Sequence, residues 1–280
     1  MQILRIPHLP AERMRNAFVL FAMVALIAAA ESNASAQSKR KQQNRPPGRI
    51  AEAARAEPAK QAVHRLIVNS FISDPELETH LVITDLDGAS PTVHIQFYDE
   101  NGVLLYDKYE LLNAFGKINY DIYKVLGERK AAGTIRVESA TGRIVGQYWQ
   151  FYRDINKAQF DVALPASNGD GYTKLLCQHF GSVPDINSWL VIANAERDKP
   201  TVVNIKFYDD AGTIITMLRK VISPNGNIRI PIYETLKTTQ LGVIYVDAEE
   251  DHRITGEYWE QSDTKRFQIA LPMDGTSKTR

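Results

Sequence analysis

Cys177 and His179 lie two residues apart, the spacing that puts two side chains on one face of a strand. A thiol beside an imidazole is the raw material of a nucleophilic dyad. Neighbours on one strand face, however, stand more than ~6 Å apart, too far for a direct hydrogen bond. Cys177 also falls in the apolar run Leu175-Leu176-Cys177, which reads as core, with the thiol a small buried hydrophobe. The histidines beyond the N-terminal segment, His64, His80, His94, His179 and His252, form no His-x-x-x-His or His-Glu-x-x-His spacing, and no Gly-x-Ser-x-Gly elbow occurs. Asp85-Leu86-Asp87-Gly88 and Asp99-Glu100-Asn101-Gly102 put carboxylates in turns, where a calcium ion would take them. Asp and Asn favour turns for backbone reasons alone, and the twelve-residue calcium loop is absent. These residues assign no catalytic group, no metal and no cofactor, and the expectation is a protein that is not an enzyme.

The tryptophans carry the remaining chemistry. Arg143-Ile144-Val145-Gly146-Gln147-Tyr148-Trp149 returns as Arg253-Ile254-Thr255-Gly256-Glu257-Tyr258-Trp259, an offset of 110. Read as a strand, the first copy puts Ile144 and Tyr148 on one face and Val145, Gln147 and Trp149 on the other. The second copy puts Thr255, Glu257 and Trp259 together in the same way. We take Tyr148 and Tyr258 as core. Trp149 and Trp259, flanked by Gln147 and Glu257, are candidates for anchoring a protein partner or stacking on sugar rings. Equally, each Trp could cover a sheet edge or fill the interface between domains.

The repeat spans most of the chain. Leu81-Val82-Ile83 matches Leu190-Val191-Ile192, Phe97-Tyr98-Asp99 matches Phe207-Tyr208-Asp209, and Ala163-Leu164-Pro165 matches Ala270-Leu271-Pro272. A repeat of about 100 residues fixes the domain count at two. Within each copy, β-branched and aromatic residues alternate with polar ones in short runs. Asp99-Glu100-Asn101-Gly102 and Asp209-Asp210-Ala211-Gly212 supply hairpin turns. Thr134 to Glu138 followed by Ile144 to Phe151 predicts a second hairpin across Ala140-Thr141-Gly142, and only Tyr120 to Leu126 and Ile230 to Leu236 suggest helix. The fold class expected is all-β, with two tandem immunoglobulin-like β-sandwich domains at residues 63–166 and 172–273. The short link Ala166 to Tyr172 predicts sandwiches set end to end, and residues 274–280 read as a disordered tail.

Residues 1–36 read as a signal peptide. Arg13 and Arg15 precede the apolar run Ala17 to Ala30, and Ala34-Ser35-Ala36 offers a cleavage site before Gln37. Initiation at Met14 rather than Met1 would make the signal more compact. The apolar run is shorter than the ~20 residues that span a bilayer, so no transmembrane segment is expected in the mature chain. Residues 37–62, rich in Lys and Arg and poor in large apolar residues, read as a basic disordered linker. Its Lys39, Arg40 and Lys41 could contact an anionic polymer, although a solvated linker is the commoner outcome. Lys+Arg and Asp+Glu both number 33, a balance that argues against nucleic acid as a partner.

One further signature is His179-Phe180, Trp189-Leu190-Val191-Ile192-Ala193-Asn194, Phe207-Tyr208-Asp209-Asp210-Ala211-Gly212, Pro224-Asn225-Gly226 and Gly242-Val243-Ile244-Tyr245-Val246. In this order it resembles uncharacterised tandem immunoglobulin-like modules of secreted and cell-surface bacterial proteins. The first copy departs with Ser70-Phe71 for His-Phe and His80 for Trp. The resemblance implies a noncatalytic surface or scaffolding module and transfers no functional residue. The expected function is an exported structural or interaction protein of the periplasm or cell surface that binds a protein partner. The alternative is a carbohydrate- or cell-wall-polymer-binding module.

Overall fold

The computed structural model describes residues 64–152, 162–262 and 268–277. The first sandwich contains β1 (His64–Ser73), β2 (Leu77–Asp85), β3 (Thr92–Asp99), β4 (Leu104–Leu111), β5 (Lys117–Asp121), α1 (Ile122–Val125), β6 (Ala131–Ser139), β7 (Ile144–Tyr152), β8 (Val162–Pro165) and β9 (Ser167–Asn168). The second contains β10 (Lys174–Ser182), β11 (Ile186–Asn194), β12 (Thr201–Asp209), β13 (Ile214–Ile222), β14 (Asn227–Pro231), α2 (Ile232–Leu236), β15 (Gln240–Ala248), β16 (Ile254–Ser262), β17 (Gln268–Pro272) and β18 (Asp274–Thr276). Sheet orders are β4-β3-β6-β1-β9 over β5-β2-β7-β8, and β13-β12-β15-β10-β18 over β14-β11-β16-β17. The second wiring is the first with every strand number raised by nine. This is the expected pair of all-β sandwiches, and both lie in the compact unit Pro58–Arg280.

Each core is filled by the inward rows of two sheets, as the alternation requires. Phe71, Leu81, Ile95, Phe97, Ile135 and Tyr148 are buried in the first; Phe180, Leu190, Ile205, Phe207, Ile244 and Tyr258 take the same places in the second. Alternation breaks within the first strand of each copy. A bulge separates Val68 from Phe71 in β1, and Cys177 from Phe180 in β10, so residues three apart both face inward. The tyrosine hydroxyl serves this irregularity. Tyr148 Oη accepts from the Ile72 amide at 3.2 Å, and Tyr258 Oη accepts from the Gly181 amide at 2.8 Å.

The hairpin turns form as read. In the first, Asp99 Oδ1 accepts from the amides of Asn101 (2.9 Å) and Val103 (2.8 Å), and Gly102 takes a φ of 83°. Asp209 Oδ1 does the same for Ala211 (3.0 Å) and Thr213 (2.7 Å), with Gly212 at 81°. The short helices also appear where expected, as α1 and α2.

Two expectations are corrected, and the link between the repeats gains a strand. β6 and β7 are not a hairpin: β6 pairs with β1 and β3, β7 with β2 and β8, and Ala140-Thr141-Gly142 carries the chain from one sheet to the other. Alternation reveals which face of a strand is buried, not whether the next strand lies beside it or across the core. The link after the first repeat is structured, since β9 pairs with β1. Likewise, residues 274–276 of the supposed disordered tail are β18, paired with β10. A strand edge left open after β1 or β10 offers unpaired main-chain groups, and two or three following residues are enough to satisfy them.

Tyr148→Ala should destabilise the chain by about 3 kcal/mol or more, and Tyr148→Phe by about 1–2 kcal/mol through the stranded Ile72 amide. Denaturant titration of both variants measures this; a Tyr148→Phe variant as stable as the parent would remove the hydroxyl's role at the bulge.

Candidate functional site

β7 and β16 present the two tryptophans to unlike surroundings. Trp149 sits opposite His80 on β2, and Trp259 opposite Trp189 on β11. On the first sandwich the outer row is open: Trp149 is 39% exposed, Val145 and Gln147 are also exposed, and His80 is half-buried. Beside them, Val145 and Gln147 of β7, Val82 and Thr84 of β2, and Leu66, Pro165 and Ala166 line an open hollow of about 450 Å³. His80 is held in place by Asn119 Oδ1 and Glu78 Oε1, both at 2.9 Å, and stacks on Phe151 with 5.7 Å between ring centroids.

On the second sandwich the same row is sealed. Trp259 is 3% exposed, and Glu257 and Thr255 are equally buried. The expectation that Trp259 and Glu257 form an exposed binding face is therefore corrected; Trp259 follows the other course left open, filling the interface between domains. The sandwiches meet sheet face to sheet face rather than end to end. The outer face of β14-β11-β16-β17 lies on the outer face of β4-β3-β6-β1-β9. Trp259 and Val191 join the first sandwich's hydrophobic cluster, and Ile67 of β1 packs with Ala193 and Ala195.

Polar groups fix that contact. Arg136 on β6 is 4% exposed and donates through Nη2 to the carbonyls of Asn194 (2.9 Å) and Glu196 (3.1 Å). Burial pushes its pKa down to about 10. Asn227 Nδ2 donates to the Asn69 carbonyl at 2.7 Å, Arg229 Nη2 to Ser70 Oγ at 3.2 Å, and Thr134 Oγ1 to the Asn225 carbonyl. Arg197 and Glu138 form an ion pair across the same seam. Glu257 accepts from Trp259 Nε1 at 2.8 Å and from Asn69 Nδ2 at 3.3 Å. Burial raises its pKa to about 7, against the pull of these two donors and of Arg229.

The residues weighed for chemistry take structural places. Cys177 is buried in the second core, its Sγ donating to the His179 carbonyl at 2.8 Å, and burial pushes the thiol up to about 12. His179 is exposed, so the two side chains do not meet as a dyad. Asp85 spends its carboxylate on the amides of Asp87, Ser90 and Phe115. Asp87 pairs with Arg143 at 2.7 Å, which holds its carboxyl below the usual range. Among the described residues no group of three His, Cys, Asp or Glu side chains could hold a metal. Lys39, Arg40 and Lys41 lie outside the described residues. Sequence reasoning missed Arg136 altogether: an arginine alternating with Ile135 and Val137 on a strand looks like any solvated outward residue.

No protein-family model and no curated protein matches the chain. Among solved structures it is similar to a β-glycosidase from Bacteroides vulgatus at 12% identity, with a TM-score of 0.20, over 80% of this chain and 28% of that one. A glycosyl hydrolase family 2 member from Bacteroides cellulosilyticus follows at 11% identity and TM-score 0.17, over 72% of this chain and 27% of that one. A Bacteroides uniformis β-glucuronidase matches at 13% and 0.16, over 74% and 25%. The chain thus spans about a quarter of each protein's length, and likenesses of this size bear on neither its activity nor its ligand.

Two outcomes follow from the unequal tryptophans. Trp259→Ala should cost about 3 kcal/mol or more, and Trp149→Ala less than about 0.5 kcal/mol, in thermal unfolding. Glu257 supplies the second. Its folded pKa lies above the ordinary value of about 4.3, so the folded state holds the proton more tightly and stability falls as pH rises between these values. The contribution is complete below about pH 4.3 and lost above about pH 7. Glu257→Gln should remove this slope and raise the unfolding midpoint at pH 8, since the amide carries no charge to desolvate; a slope kept in the variant would assign it elsewhere.

Proposed function

We propose that the chain is an exported, noncatalytic interaction protein that binds a protein partner through the outer face of the first sandwich's β5-β2-β7-β8 sheet. One observation carries the reading. The same surface in two equivalent domains is buried against protein in one and bare among the described residues in the other, with Val145 43% and Trp149 39% exposed. A sheet face bearing exposed aromatic and aliphatic side chains beside amides such as Gln147 has the composition of a protein-binding surface. The buried counterpart demonstrates that this strand arrangement packs well on another sandwich.

Absence of catalysis is supported by the fate of the chemical groups: the thiol is locked in a core and Asp85 is spent on main-chain amides. Export is supported by the N-terminal pattern in the sequence. Among the described residues no helix is long and apolar enough to cross a membrane.

A photo-activatable amino acid at Gln147, in the full chain expressed in its own cells, should give protein adducts that the same group at the exposed Lys130 does not. Adducts with glycan in their place would transfer the surface to the carbohydrate- or wall-polymer class. No adduct above the Lys130 background would defeat the binding face.

A further inference from the structure

The interface inside the chain joins two unlike surfaces, the outer face of β4-β3-β6-β1-β9 and the outer face of β14-β11-β16-β17. Because the sandwiches are repeats, the chain carries each surface twice and uses one copy of each internally. The second copies are the outer faces of β13-β12-β15-β10-β18 and of β5-β2-β7-β8, at opposite ends of the repeat order. We propose that these two bind each other between molecules, so that the protein partner is a second copy of this chain and the product is a head-to-tail assembly. The contact is heterologous, and repetition of the intrachain packing would extend it from molecule to molecule. This rests on the reading of the bare face as protein-binding and names what it binds.

Several residues that touch across the internal seam have counterparts that match each other on the free faces. Thr134 meets the Asn225 turn through a hydroxyl; their counterparts are Val243 and Phe115, so a polar contact becomes an apolar one on both sides at once. Phe115 is 73% exposed and takes the same left-handed backbone as Asn225, with φ of 55° and 60°. Asn69 and Glu257 are hydrogen-bonded across the seam; Gln178 and Gln147 replace them, an amide pair that buries no charge. Ile67 against Ala193 and Ala195 becomes Leu176 against Thr84 and Leu86, the last 45% exposed. Arg136, which donates to main-chain carbonyls at the end of β11, is replaced by the half-exposed Tyr245, which keeps a donor at its tip.

The turns agree. At the seam the β3–β4 turn is pressed against the turn before β14, so closely that a Cβ on Gly102 would lie 1.9 Å from the Pro224 carbonyl oxygen. Gly212, its counterpart, has the same backbone conformation, and a Cβ there would meet nothing within 4 Å. The docking position of that turn is open.

The test uses sedimentation of the secreted full chain over a range of concentrations. Wild type should grow in mass with concentration. Phe115→Asp and Val243→Asp should each remain a single chain, with association weakened by about thirtyfold or more, the scale of losing one interface hot spot. Mixed one to one, the two variants should form a dimer and stop there, because each keeps the face that the other lacks. Gln147→Arg with Tyr245→Arg forms a second pair should an Asp variant show a lowered unfolding midpoint. Wild type that stays a single chain overturns the proposal, as does a mixture that stays a single chain or variants that assemble like wild type. Adducts from position 147 separate the two levels. A different protein captured there, with wild type remaining single, ends self-association and keeps the binding face; adducts confined to residues 37–62 of the same chain, or none, end both.

Discussion

The arrangement of the two sandwiches depends on a buried cation with few places to go. Arg136 is sealed between sheets, and its hydrogen bonds run to two main-chain carbonyls at the end of β11. An unpaired guanidinium would be costly to desolvate, so any sliding of one sheet over the other that withdrew Asn194 and Glu196 would be opposed directly. Apolar burial around Trp259, Val191 and Ile67 supplies attraction without direction. The hydrogen bonds supply the direction, and Asn69, Asn227 and Glu257 repeat the pattern along the seam. The result resembles a specific protein–protein contact enclosed within one chain more than a linker between free domains.

Two copies of one fold are here under different demands. Inside each sandwich the demands are equal, and so are the residues: Phe71 and Phe97 answer Phe180 and Phe207, with ring centroids 5.6 Å apart in both. The bulge and its tyrosine recur for the same reason, because a ladder amide freed by an extra residue needs an acceptor in either copy. On the outer faces the demands part. Trp189 stacks on Trp259 at 5.9 Å where they are covered, while His80 stands opposite Trp149 where they are not. A half-buried imidazole tied to Asn119 and Glu78 tolerates water in a way that a second indole would not.

Much of this was legible in the residues. The repeat, the all-β class, both Asp-containing hairpin turns, both short helices and the core assignment of Tyr148 and Tyr258 follow from patterns that local physics enforces. Alternation, a left-handed glycine and a carboxylate capping nearby amides act within a few residues and need no partner from afar. The β6–β7 connection was not legible, because a hairpin and an arch between sheets leave the same alternation behind. β9 and β18 were not either: strands of two and three residues carry too little pattern to separate from loop.

The candidate site divides along the same line. The sequence by itself determined that Val145, Gln147 and Trp149 share one face of β7, and that Thr255, Glu257 and Trp259 share one face of β16, since side chains on a strand must alternate. Which of those faces meets water was decided only by the tertiary structure. That outcome depends on a sheet more than 100 residues away in sequence carrying Arg136, Asn69 and Ile67 in matching places. A strand's own residues fix its two sides; what lies against the outer one is set by long-range packing that no local pattern records.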